Sequence, residues 1–223
     1  MIVFDNVTKM YKKTIGLSDV NIKIDKGEFV FLMGHSGAGK STFIKLLLKE
    51  IEATSGKIFV GNTEVTKLSN RNIPKHRRNI GIVFQDFRLL PHKTAYENIA
   101  FAMEIVHTHP RAIKRTIPQV LNLVGISGKA NKFPDELSAG EQQRVAIARA
   151  IINNPSVLIA DEPTGNLDED NAWEIMKLLK QINLRGTTIV MATHAKDIVC
   201  KMDKRVITIG NGKIINDTRG GLI

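Results

Sequence analysis

The stretch Gly34-His35-Ser36-Gly37-Ala38-Gly39-Lys40-Ser41, with Thr42 next, constrains the fold more than any other part of this 223-residue chain. It reads G-x-x-x-x-G-K-S, a phosphate-binding loop. The apolar run Phe29-Val30-Phe31-Leu32-Met33 before it predicts a buried strand, and Ser41 to Leu48 after it predicts a helix. Strand, glycine loop and helix in that order aim backbone N–H groups and a positive helix end at one point, which suits a polyphosphate. Lys40 is placed to reach the outer phosphates, and the Ser41 hydroxyl is a ligand for Mg2+.

Strand and helix signals around the loop predict an α/β protein. Met1 to Tyr11 and Leu17 to Ile24 alternate apolar and polar residues, as half-exposed antiparallel strands do. Ser55-Gly56 is read as a turn into a strand over Lys57 to Val60, and Gly61-Asn62 as a hairpin turn. Short apolar strands follow at Ile80 to Phe84, Val157 to Ala160, Thr187 to Ala192 and Val206 to Ile209, with a hairpin turn at Asn211-Gly212. From Thr94 to Ile151 the spacing is helical. Pro110 suits a helix first turn, Gly125 a helix stop, and Pro118 predicts a break or kink. Asn171 to Leu184 reads as an amphipathic helix. The expected architecture is a phosphate-loop core with a mostly parallel sheet (residues 1–93 and 152–223), an antiparallel β portion near the N-terminus, and an inserted helical subdomain over 94–151.

Composition narrows the partners. Cys200 is the only cysteine, so no intrachain disulfide forms and a reducing compartment is expected. The N-terminus lacks the charged and apolar regions of a signal peptide, and no apolar run is long enough to cross a bilayer. The formal charge of +10 fits nucleotide phosphates, nucleic acid or anionic lipid. Aromatic residues make up 5% and do not interleave with the basic ones, so no nucleic-acid partner is expected. The basic residues gather only at Lys75-His76-Arg77-Arg78 and between Arg111 and Arg115, which leaves an anionic lipid surface or an ordinary solvated face.

Two further segments carry chemistry. Val157-Leu158-Ile159-Ala160-Asp161 is a buried strand ending in a carboxylate, and Glu162 follows. In a phosphate-loop enzyme such a terminal Asp supports Mg2+, and a neighbouring carboxylate can orient and polarise the attacking water. Leu137-Ser138-Ala139-Gly140-Glu141-Gln142-Gln143-Arg144 opens a helix, with Ser138 and Glu141 spaced as a capping box. A helix start is also an anion site, and Gly140 lets backbone approach a phosphate.

On these residues the chain resembles, from end to end, the nucleotide-binding subunits of the ATP-binding cassette (ABC) family. Leu137 to Gln142 is similar to that family's signature. The resemblance implies more roles. Tyr11 would stack on adenine, and Gln85 would contact Mg2+ and sense a membrane partner. Asn166-Leu167-Asp168 would cross a dimer interface, and His194 would hold the terminal phosphate. Ala139, Glu141 and Asn166 depart from the commoner Gly, Gln and Ser, while Lys40, Ser41, Asp161, Glu162 and His194 are all present. The segment Phe84 to Pro91 is similar to the branch that includes ATPases of cell division, lipoprotein release and macrolide or peptide export. The loop sequence and the short tail after Arg219 are most similar to the cell-division members. The resemblance implies an ATPase that forms a homodimer around ATP and Mg2+, with phosphate loop and signature facing each other from two copies. It further implies an integral membrane partner, a peripheral place on the cytoplasmic face of the bacterial plasma membrane, and control of peptidoglycan hydrolysis in division, with the export role as the alternative. A cassette acting on nucleic acid or the ribosome, and a small-molecule kinase on the same loop, are the competing classes. The first usually carries two cassettes or a long coiled-coil insertion, absent from this sequence. The second has no need of Leu137 to Gln142 or His194.

Overall fold

In the computed structural model, which describes residues 1–218, the elements follow in chain order as β1 (Ile2–Tyr11), β2 (Thr14–Ile24), β3 (Phe29–Met33), α1 (Lys40–Leu47), β4 (Ser55–Val60), β5 (Thr63–Glu64), α2 (Ile73–Arg77), β6 (Ile80–Val83), α3 (Ala95–Glu104), α4 (Pro110–Leu123), α5 (Ala139–Ile151), β7 (Val157–Asp161), α6 (Glu169–Leu184), β8 (Thr188–Ala192), α7 (Lys196–Met202), β9 (Arg205–Gly210) and β10 (Lys213–Thr218). The tail after Arg219, used in the sequence comparison above, lies outside the described residues. The chain divides into two units, Met1–Arg77 with Asn183–Ile223, and Arg78–Ile182. Among the described residues no helix is long and apolar enough to cross a membrane.

The first unit holds an antiparallel sheet in the order β2-β1-β4-β5 and a second run of strands in the order β10-β9-β3-β8. β3 is parallel to both β8 and β9. All five residues of β3 are buried, as its unbroken apolar sequence demands of a strand covered on both faces. The Phe4 ring of β1 stacks on Phe43 of α1 at 4.2 Å and 9°, which ties the antiparallel sheet to the helix after the phosphate loop. Asn211 and Gly212 both have positive φ, 49° and 78°, as their hairpin turn requires. Ser55-Gly56 belongs to β4 rather than to a turn. Ser55 pairs with Thr8 beyond a register shift, and Gly56 (φ 84°) lets the strand pass the Asn6 carbonyl.

The short helix α2 was not legible in the sequence, and it changes the meaning of the basic cluster at 75–78. His76 is buried and its Nε2 donates to the Leu47 carbonyl at 2.7 Å. Arg77 donates to Leu48 O at 2.9 Å and Lys49 O at 3.1 Å. Both cap the negative end of α1, while Lys75, Arg77 and Arg78 keep an exposed basic face beside it.

In the second unit β6 and β7 form a parallel pair, and every element between residues 94 and 151 is helical. The expected break at Pro118 does not occur: α4 runs unbroken from Pro110 to Leu123. Lys114, whose carbonyl loses its N–H partner, and Pro118 are both exposed residues. Two helices begin with capping boxes. Thr94 and Glu97 close α3, and Ser138 and Glu141 close α5. The Thr94 amide, then its hydroxyl, hold the Glu97 carboxyl below its ordinary pKa; the Ser138 amide, then Lys129, do the same for Glu141.

Stability from these depressed carboxyls is complete above the unfolded value of about 4.3 and vanishes as pH falls through the lower folded values. Denaturant titrations should therefore show the chain weakening below about pH 4. Thr94→Ala should remove about 1 kcal/mol at neutral pH and flatten that acid limb.

Candidate functional site

Each unit carries its own share of the expected residues. In the first, Gly34 to Ser41 forms a tight loop between β3 and α1. Gly39 takes φ 123° at the N-cap of α1, and a Cβ there would lie 2.8 Å from the Gly16 carbonyl and 2.9 Å from Leu17 Cδ2. Only glycine fits that backbone in that space. With glycine at the N-cap there is no side-chain cap, and no acidic residue sits in the first turn. The leading amides of α1 are therefore left for a ligand, beside the positive end of the helix. The Lys40 ammonium lies over the loop, donating to Gly34 O at 2.6 Å and His35 O at 3.3 Å. His35 Nδ1 donates to the Ser36 carbonyl at 2.7 Å.

The loop is buttressed by the β9–β10 turn. Gly212 N donates to Ala38 O at 2.9 Å, and Ser18 N donates to Gly212 O at 2.8 Å. No sequence signal linked that hairpin to the loop. Tyr11 is 40% exposed at the end of β1, its hydroxyl 3.5 Å from Thr42 Oγ1 and Lys9 above its ring. It lines an open hollow of about 690 Å³ with Met10, Lys12, Lys13 and Thr14. An exposed aromatic face on an open hollow is suited to a flat heterocycle. The register between β3 and β8 pairs Leu32 with Ala192, so Gly34 and His194 both lie two residues past the paired ends. His194 is exposed there.

The second unit assembles the other residues through short links. Asp161 ends β7, and Glu162 follows with a left-handed backbone, φ 49°. Gly165 N donates to Glu162 O at 3.1 Å. Gln143 Nε2 of α5 donates to Pro163 O at 2.6 Å. Asn166 Nδ2 donates to the Gln85 carbonyl at 2.9 Å, with a longer 3.5 Å contact from Gln85 Nε2 to Asn166 Oδ1. The turn after Gln85 has positive φ at Phe87 and Arg88, and Arg149 of α5 donates to both of their carbonyls, at 2.9 and 2.6 Å. Buried Asn98 secures the rest of that segment through the Leu90 amide and the carbonyls of Leu90, Lys93 and Thr94.

Asp168 caps α6. Its carboxylate accepts from Asn171 N at 2.9 Å and Asn171 Nδ2 at 2.6 Å, and these two bonds hold its pKa below the usual carboxylate value. Asn171 also meets the signature, since a Cβ on Gly140 would lie 2.8 Å from Asn171 Oδ1. Gly140 is thus required by a neighbour within the chain, beside any approach of phosphate. Ser138 remains exposed at the head of α5. Sequence reading assigned no role to Asn171, Arg149, Asn98 or Gln143 and saw Gly212 only as a hairpin turn; Arg149, Gln143 and Gly212 act through backbone groups distant in sequence, which no local pattern reveals.

Among the described residues no cluster of His, Cys, Asp or Glu forms a metal site of its own. The residues proposed for Mg2+ are a hydroxyl (Ser41), an amide (Gln85) and a carboxylate (Asp161). That hard-oxygen set fits Mg2+, which ordinarily keeps waters and substrate phosphates among its ligands.

Gly140→Ala should push Asn171 and Asp168 out of place. ATPase assays should show turnover at least about fivefold lower, because a glycine with no room for Cβ cannot be replaced without a backbone or neighbour shift. Nucleotide binding by the phosphate loop should persist.

Comparison with known proteins supports the assignment. The family model described as "ABC transporter" matches residues 17–165. The chain is 55% identical over 224 residues to the "Cell division ATP-binding protein FtsE" of Mycobacterium tuberculosis, covering 100% of this chain and 97% of the relative. It is 52% identical to the protein of that name from Bacillus subtilis, covering 99% and 97%, and 42% identical to that of Escherichia coli, covering 96% and 97%. Among solved structures, the dimeric post-hydrolysis ATP-binding cassette MJ0796 bound to ADP and Pi superimposes with a TM-score of 0.87 at 35% identity, over 98% of each chain. An uncapped glycine loop, a carboxylate-ended strand and a signature helix, carried on a chain that matches these relatives along its whole length, make this protein a member of the ABC transporter ATPase family, in the group of the cell-division ATP-binding proteins.

Proposed function

We propose that the chain is the Mg2+-dependent ATPase of a division complex. Two copies close on ATP, and hydrolysis lets them part, driving an integral membrane partner of the FtsX type that governs peptidoglycan hydrolases. The observation that carries this reading is the phosphate loop itself: an uncapped helix end, Lys40 above it, and His194 at the matching position on the adjacent strand.

Each side chain then has a task. The amides from Gly34 to Thr42 and the Lys40 ammonium hold the phosphates. Tyr11 covers the base. Ser138 and Gly140 offer a second positive helix end to the ATP of the other copy. Asp168 orders the turn that meets that copy. Ser41, Gln85 and Asp161 would hold Mg2+, which neutralises charge on the phosphate oxygens when bound. Glu162 orients the water that attacks the terminal phosphate, and His194 steadies that phosphate. Tight closure depends on the terminal phosphate, so the dimer is the two-state element that ATP biases.

Residues 94–151 serve as the helical subdomain. The partner docks near Phe87, Leu89, Leu90 and His92, just past Gln85, where Leu89 and Leu90 are half-buried. With that partner the protein works at the cytoplasmic face of the membrane, where its net charge of +10 favours anionic headgroups.

Glu162→Gln should retain ATP affinity, lose about a hundredfold or more in turnover, and accumulate an ATP-bound dimer by light scattering. Full turnover would remove Glu162 from its role. Lys40→Ala should abolish binding of a fluorescent ATP analogue; unchanged binding refutes the loop assignment. Leu89→Glu with Leu90→Glu should release the membrane protein during detergent co-purification while ATP binding persists. The identity of the co-purified protein separates division from export.

A further inference from the structure

Gln143 is fully buried in α5, at 0% exposure, five residues after the cap at Ser138. Its Nε2 donates to Pro163 O at 2.6 Å, while its Oε1 is buried with no partner. The orientation of the amide follows from chemistry: a carbonyl accepts, so the NH2 group must face Pro163. A buried amide with one acceptor unmet carries a desolvation cost that its single hydrogen bond offsets only in part. Such a residue points to a task other than holding the fold.

The task lies one peptide away. Glu162 is a non-glycine residue at φ 49°, directly before a proline that itself disfavours the right-handed helical backbone at the preceding position. A strained conformation of this kind persists only where its surroundings over-determine it. Here the carbonyl of Glu162 is held by Gly165 N, and the next carbonyl, that of Pro163, is held by Gln143. We infer that Gln143 is a positioning residue: it anchors the Glu162-Pro163 turn to the signature helix and so aims the Glu162 carboxylate at the attacking water. This rests on the proposed role of Glu162. It also gives α5 a direct mechanical link between Ser138, which meets the other copy's nucleotide, and the hydrolytic turn of its own chain.

The test uses the full chain with Mg-ATP. Gln143→Met keeps the shape, removes the hydrogen bond and removes the orphaned acceptor. Its kcat should fall about tenfold or more, with KM for ATP within about twofold. In a Glu162→Gln background the same change should cost less than about twofold more, because the two residues act as a unit. A kcat within twofold of the parent, or the same loss in both backgrounds, overturns the inference. Full turnover in Glu162→Gln alone overturns the role of Glu162 instead, and this inference with it. Should Gln143→Met fail to fold, Gln143→Glu decides. A protonated carboxyl can donate to Pro163 O and a carboxylate cannot, so its deficit relative to the parent should shrink as pH falls. A deficit independent of pH counts against the role.

Discussion

The structure is organised around keeping a few backbone amides unsatisfied. The first turn of α1 has no side-chain cap, and the glycine at its head permits none. A folded chain normally pairs such groups, and an uncapped helix end costs stability until something negative arrives. The surroundings hold that geometry open. The aromatic stack of Phe4 on Phe43 fixes the helix from the antiparallel sheet. The Gly212 amide clips the Ala38 carbonyl, and His76 and Arg77 cap the far end of α1. One residue pattern thus recruits three distant segments to serve it.

The second unit follows a different logic. Its candidate residues are joined to one another by hydrogen bonds between side chain and backbone: Asn166 with the Gln85 carbonyl, Gln143 with the Pro163 carbonyl, the Asp168 carboxylate with the Asn171 amide, and Arg149 with the turn at Phe87 and Arg88. Gln143 and Arg149 both project from α5, whose head is the signature. A displacement of that helix must therefore move the Glu162-Pro163 turn and the segment after Gln85 together. Hydrogen bonds to fixed carbonyls transmit such shifts, because packed elements shift as bodies rather than deform. Reciprocally, whatever stabilises one arrangement of the segment after Gln85 biases the turn that carries Glu162.

Strand and helix identities were largely legible from pattern. The buried strands β3, β7 and β8 announce themselves as unbroken apolar runs, and the capping boxes at Thr94 and Ser138 follow from residue spacing. Misreadings have local causes. Ser55-Gly56 looked like a turn, because a glycine that admits a neighbouring carbonyl within a strand has the same letter as one that reverses the chain. Pro118 looked like a break or kink, but the helix runs through it without a break. The basic run at 75–78 looked like surface, which holds for all but His76, whose ring is buried against the end of α1.

The amino-acid sequence by itself determined the chemistry: a glycine loop with its lysine, a carboxylate pair at a strand end, a serine-headed helix. These are contiguous, so residue type and spacing suffice to state them. Tertiary structure alone decided what positions those groups. The Gln143 amide beneath the Pro163 carbonyl and the Gly212 clip on the phosphate loop join residues far apart in the chain. Such bonds depend on where folding brings a particular carbonyl, and every residue has a carbonyl, so nothing in the sequence marks the one that is chosen.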